Sequence, residues 1–91
     1  MHRILLIDDD ELLAPPLAAY LQRFDLQLDS ATRPSAGLAK LRAGRYDAAI
    51  LDVMLPEMDG FELCRTIRAD PQLATLPILM LTARGDVMDR V

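Results

Sequence analysis

The chain has no tryptophan, only two tyrosines and two phenylalanines, and a single cysteine, Cys64. One cysteine excludes an intramolecular disulfide and a cysteine-built zinc cage. Basic residues are scattered and outnumbered, ten against fourteen acids, for a net charge of −4. That leaves no basic face for nucleic acid on this segment. No apolar run approaches the ~18–20 residues that a membrane-spanning helix needs, and the N-terminus lacks the pattern of a secretory signal. A cytoplasmic protein with no membrane contact is therefore expected. Repeats, low-complexity tracts and linkers are missing too, so the 91 residues form one small domain at most. The hydrophobic content of 52% makes it globular rather than disordered.

What is there is an alternation. Arg3-Ile4-Leu5-Leu6-Ile7 reads as a strand apolar on both faces, and Leu13, Leu17, Leu21 and Phe24 then recur at helical spacing. Leu26 to Ser30 alternates as a half-exposed edge strand does. Pro34 suits the first position of a second helix, with Thr32 or Arg33 at its cap, Leu38 and Leu41 facing inward and Gly44 as its stop. Ala48 to Leu51 is a buried-type strand running into Asp52. A turn-rich loop, Met54 to Gly60, leads to a third helix marked by Phe61, Cys64 and Ile67. That helix must end near Asp70, because Pro71 disfavours helix at the residue before it. Pro77 to Leu81 is a fourth strand reaching Thr82, and the last residues read as a loop with one helical turn.

The order β-α-β-α-β-α-β means a parallel sheet with helices on both faces, joined by right-handed crossovers. In such open sheets the binding crevice lies beyond the carboxyl ends of the strands. Three of the four strands end there in polar or reactive groups: Asp8-Asp9-Asp10, Asp52 and Thr82. Converging carboxylates repel one another unless a cation joins them. Oxygen-only ligands favour a hard ion, and Mg²⁺ fits best because it accepts one or two carboxylates together with a phosphate oxygen. A carboxylate can also attack phosphorus to give an aspartyl phosphate, with a hydroxyl such as that of Thr82 hydrogen-bonding the phosphoryl group.

The stretches "ILLIDDDELL", "AAILDVMLPEMDGFELCRTIR" and "PILMLTARG" closely resemble the receiver domain of bacterial two-component response regulators, and the resemblance covers nearly the whole chain. It implies a flavodoxin-like doubly wound α/β fold with strand order 2-1-3-4. It implies that Asp8 and Asp9 hold Mg²⁺, that Asp52 is the phosphoacceptor and a metal ligand, and that the backbone carbonyl of Met54 is a further ligand. Thr82 is then the switch hydroxyl and a sensor histidine kinase the phosphoryl donor. Met54 and the ending "LTARG…DRV" are most similar to the subfamily with a winged-helix DNA-binding domain after the receiver. DNA contact would then belong to a C-terminal domain outside this segment.

Two departures from that family stand out. Its receivers carry a lysine at the end of a fifth strand, whereas the one lysine here, Lys40, falls on the second helix. The fifth strand and the last helices are lacking, roughly one βαβ unit of ~30 residues, so residues 1–91 read as a single, C-terminally truncated receiver domain. Pro15-Pro16 also falls where the family has helix interior. Proline there costs ~3 kcal/mol, so the first helix is expected to start late or bend near Ala14.

Other readings compete. A phosphatase of the haloacid-dehalogenase type shares an acid-x-acid pattern after a strand but needs a catalytic lysine and later acids. A non-phosphorylated interaction module of the same fold is the stronger rival. With order 2-1-3-4, the apolar fourth strand becomes an open edge that would pair with another copy by swapping or dimerisation. Plainer roles are expected for the remaining candidates. Asp10 is a helix-start charge, Cys64, Met58 and Met80 are packing atoms, His2 is a free terminal side chain, and Gly60 permits a tight turn.

Overall fold

The computed structural model describes residues 2–81 and the backbone of residues 87–90. The chain runs β1 (His2–Ile7), α1 (Ala14–Gln22), β2 (Leu26–Ala31), α2 (Pro34–Ala43), β3 (Ala48–Asp52), α3 (Gly60–Ala69), β4 (Ile78–Leu81) and β5 (Val87–Arg90). These strands form one sheet in the order β2-β1-β3-β4-β5. The first four are parallel, as the alternation of the sequence requires.

β1 runs out to β2 and the chain then returns past β1 to β3. Right-handed crossovers in those opposite directions place α1 on one face and α2 and α3 on the other. The α2/α3 face holds the core. Leu5, Ile7, Ala49, Leu51, Ile78 and Met80 stand on it at period two, each 2% exposed or less. Leu38 and Leu41 of α2 and Leu63, Cys64 and Ile67 of α3 close over them. Cys64 and Met80 are thus packing atoms, as expected, and Met58 packs at the margin of the same cluster.

The opposite face is covered less completely. No residue of α1 is fully buried, and its sequence, APPLAAYLQ, carries no charge. Both prolines lie in its first turn, where the amides they lack have no helical partner in any case. The helix starts at Ala14, and its first bond runs from the Leu17 N–H to the Leu13 carbonyl at 3.3 Å. The late start expected from Pro15-Pro16 is present.

Three expectations are corrected. Residues 87–90 do not form a helical turn, because they pair antiparallel with β4, Leu81 opposite Val87 and Ile78 opposite Arg90. β4 would otherwise expose a row of unpaired N–H and C=O groups, and an antiparallel return needs only a short connection. β4 is therefore not an open edge, which removes the ground for a homodimer or swap through it. His2 is not free either: its Nδ1 lies 3.5 Å from Asp47 Oδ2.

The amino-terminal end of the sheet is tied by charge. Arg3 Nη2 donates to Asp29 Oδ2 at 2.8 Å, and the Tyr46 hydroxyl donates to the same oxygen at 2.7 Å. The guanidinium carbon of Arg3 lies 4.6 Å from the centroid of the Tyr46 ring, a distance at which cation and ring attract. The Arg3 amide donates to Asp47 Oδ2 at 2.8 Å. β1, β2 and the loop before β3 are joined by these contacts.

Candidate functional site

At the carboxyl ends of β1 and β3 the ladder stops and acids begin. Ile7 pairs with Leu51, so the next residues, Asp8 and Asp52, emerge at the same level of the sheet. The Asp8 N–H still donates to the Ala31 carbonyl at 3.1 Å, and the Val53 N–H to Leu81 at 3.0 Å. Their side chains are thus carried on backbone that the sheet holds on both sides. Asp9 follows as the second residue of the loop after β1.

One carboxylate oxygen from each of Asp8, Asp9 and Asp52 lies within 4.8 Å of the other two. Asp8 and Asp52 are half-buried and Asp9 is exposed. Burial pushes the Asp8 carboxyl above the usual carboxylate range, and the charges of Asp52, Asp9 and Asp10 push the same way against a hydrogen bond from the Asp10 amide. That bond, 2.9 Å from the Asp10 N–H to Asp8 Oδ1, and one of 3.2 Å from the Met54 N–H to Asp52 Oδ1, fix each carboxylate to its own loop. Among the described residues no ion pair reaches any of the three.

Three oxygen donors at that spacing, with no nitrogen or sulfur ligand among them, suit a small hard cation such as Mg²⁺. Met54, two residues beyond Asp52, starts the loop beside the acids with its side chain 68% exposed. Leu12, beyond Asp10, is 83% exposed. Two apolar side chains therefore stand free in the loops that carry the acids.

The neighbours separate by role. Asp10 Oδ1 accepts from the Leu12 N–H at 3.0 Å. It braces the turn before α1 and lies three residues ahead of the cap position, Leu13, so it is a turn residue rather than a helix-start charge. Asp59 caps α3 by accepting from the Glu62 N–H at 2.8 Å. Gly60 is needed for close approach rather than for a tight turn: a Cβ there would run into the Asp52 carbonyl oxygen and stand 2.9 Å from Val53 Cα. Lys40 lies on α2, and its Nζ donates to the Ser30 carbonyl at 2.8 Å. Thr82 falls outside the described residues.

Glu57 has no signal in the sequence. Its φ of 67° is a conformation usually marked by Gly, Asn or Asp. Its carboxylate accepts from the Ser35 N–H at 3.0 Å and from the Ser35 hydroxyl at 3.1 Å.

The response regulator receiver domain family matches residues 4–91. The transcriptional regulatory protein GltR of Pseudomonas aeruginosa is 48% identical over 88 residues, which make up 97% of this chain and 36% of GltR. The structure of the chemotaxis response regulator CheY4 of Vibrio cholerae is similar with a TM-score of 0.86 at 32% identity, over 94% of this chain and 72% of that one. The response regulator TrrA of Thermotoga maritima, crystallised in complex with Mg(2+)-BeF, gives 0.82 at 34% identity over 91% of this chain and 70% of that one. The chain spans little more than a third of the length of the curated relatives it matches.

Proposed function

The chain belongs to the response regulator receiver domain family, and on that premise we propose that it is a Mg²⁺-dependent phosphoacceptor module with Asp52 as the acceptor. The observation that carries this reading is the convergence of Asp8, Asp9 and Asp52 within 4.8 Å at the carboxyl ends of neighbouring parallel strands. Asp8, Asp9, Asp52 and the Met54 carbonyl would hold Mg²⁺. The ion, when bound, neutralises charge on the transferring phosphoryl group.

In the proposed reaction a carboxylate oxygen of Asp52 forms a bond to phosphorus. The P–N bond of a phosphohistidine on a sensor kinase breaks, and its electron pair leaves on the imidazole. The Met54 N–H, already bonded to Asp52 Oδ1, keeps that carboxylate oriented. Thr82 is assigned the switch hydroxyl, from its place after β4 in the sequence. Leu12 and Met54 give an incoming partner protein apolar contacts at the site's rim. Residues 1–91 would act as one signalling domain rather than as a turnover enzyme, and any DNA contact would belong to further chain, as the name of GltR as a transcriptional regulatory protein suggests.

Incubation with acetyl phosphate and Mg²⁺, followed by intact mass measurement, tests this. The wild type gains one phosphoryl group and Asp52→Asn gains none. No modification of the wild type, or equal modification of Asp52→Asn, would overturn the proposal. The same outcome would favour the second reading, a non-phosphorylated interaction module. Lys40 supports that second reading, because the one lysine in the chain is committed to Ser30.

A further inference from the structure

We propose that Glu57 is a positioning residue: its carboxylate latches the loop after Asp52 to the start of α2 and so holds Met54 beside the acids. The inference rests on the Mg²⁺ reading of the site. The loop is closed at its base, where the Gly60 N–H donates to the Val53 carbonyl at 2.8 Å. Near the base, the Met54 N–H is held by Asp52. At the far end, Glu57 adopts its left-handed conformation, which is strained for a residue with a Cβ.

The contacts of its carboxylate account for a glutamate at this position. Ser35 is the second residue of α2, and the cap residue of that helix, Arg33, contributes no side-chain cap. Glu57 supplies the missing acceptor from 22 residues away, taking both the Ser35 amide and its hydroxyl. A carboxylate there is also favoured by the positive end of the helix dipole. Glycine would suit the backbone better but could not make either contact. With base and tip both tied, the span from Met54 to Met58 is held against the body of the domain at its two ends.

The experiment compares wild type, Glu57→Gly and Glu57→Gln as whole chains, by NMR-detected amide exchange without metal and by Mg²⁺ titration. Glu57→Gly removes the latch and relieves the backbone strain, so the fold persists. Its amides at Ser35, Met54, Leu55, Glu57 and Met58 should exchange faster while Gly60 keeps its protection. Its Mg²⁺ affinity should fall about three- to tenfold, less than the ~10–100-fold typical of groups that bond a metal ligand directly. Glu57→Gln keeps one acceptor oxygen and should recover part of that affinity. Unchanged exchange at Ser35, or unchanged Mg²⁺ affinity in Glu57→Gly, would overturn the latch. A wild type that binds no Mg²⁺ would instead overturn the site reading and with it the positioning role, and the Ser35 exchange would still decide whether the contact holds the loop.

Discussion

Aspartates stand in two settings on this sheet, and their surroundings differ in one respect. Near the amino-terminal end of β1, Arg3 reaches Asp29 in the middle of β2, and its hydrogen bond, joined by that of Tyr46, holds the Asp29 carboxyl down at about 2. At the carboxyl end Asp8 meets Asp9 and Asp52, and burial and like charge push its carboxyl up. Both residues are half-buried, so exposure does not separate them; the presence of a counter-charge does. Where the sheet only has to stay together, the chain supplies its own cation. At the end where parallel sheets bind ligands, three carboxylates face one another without one among the described residues.

The comparison can be broken from either end. The largest effect is expected from Gly60→Ala, which forces a Cβ into the Asp52 carbonyl and to 2.8 Å from Met80 Cε. Overpacking of this kind costs ~1–3 kcal/mol in urea unfolding. It should displace Asp52 and weaken Mg²⁺ binding while the Arg3–Asp29 contact survives. Asp29→Asn comes next. The Arg3 and Asp29 side chains are 39% and 25% exposed, so screening reduces the loss to about 1 kcal/mol.

The sign with pH follows from the direction of each shift. Asp29 has a folded value of about 2 against an ordinary 3.8, so its contribution is present above the ordinary value and is lost as pH falls through about 2. Urea unfolding of the wild type between pH 4 and about 2 should show this acid limb, and Asp29→Asn should lack its share. Asp8 is shifted the other way. Its ionised form weighs against the metal-free fold at neutral pH, so Asp8→Asn should be slightly more stable there, by less than ~1 kcal/mol given its exposure. A metal-free Asp8→Asn less stable than wild type would contradict the account of that end.

The sequence made the parallel core legible because its signals are local. Ile4 to Ile7, Ala48 to Leu51 and Ile78 to Leu81 are short apolar runs, each separated by a helical pattern, and acids follow the first two directly. Pro15-Pro16 likewise set the start of α1 by local sterics alone. What escaped depends on partners far away in sequence. Val87 to Arg90 has no strong strand pattern and is a strand because β4 offers it an edge. Arg3, Asp29 and Tyr46 are separated by 26 and 17 residues, and nothing in their spacing announces a contact. Glu57 was hidden for a different reason: a left-handed residue is read from Gly, Asn or Asp, and this one is stabilised by Ser35 across the loop. Of the candidate site, the three carboxylates were legible and their convergence is found; Thr82 lies outside the described residues.

The most direct test of the difference between the two ends is a Mg²⁺ titration at neutral pH, followed by backbone amide shifts in wild type and Asp8→Asn. In the wild type, saturable shifts should concentrate at residues 8–10 and 52–54, leave Asp29, Tyr46 and Asp47 unmoved, and be lost or greatly weakened in Asp8→Asn. Weak, unsaturable shifts spread over acids at both ends, or the same saturable response in Asp8→Asn, would contradict it.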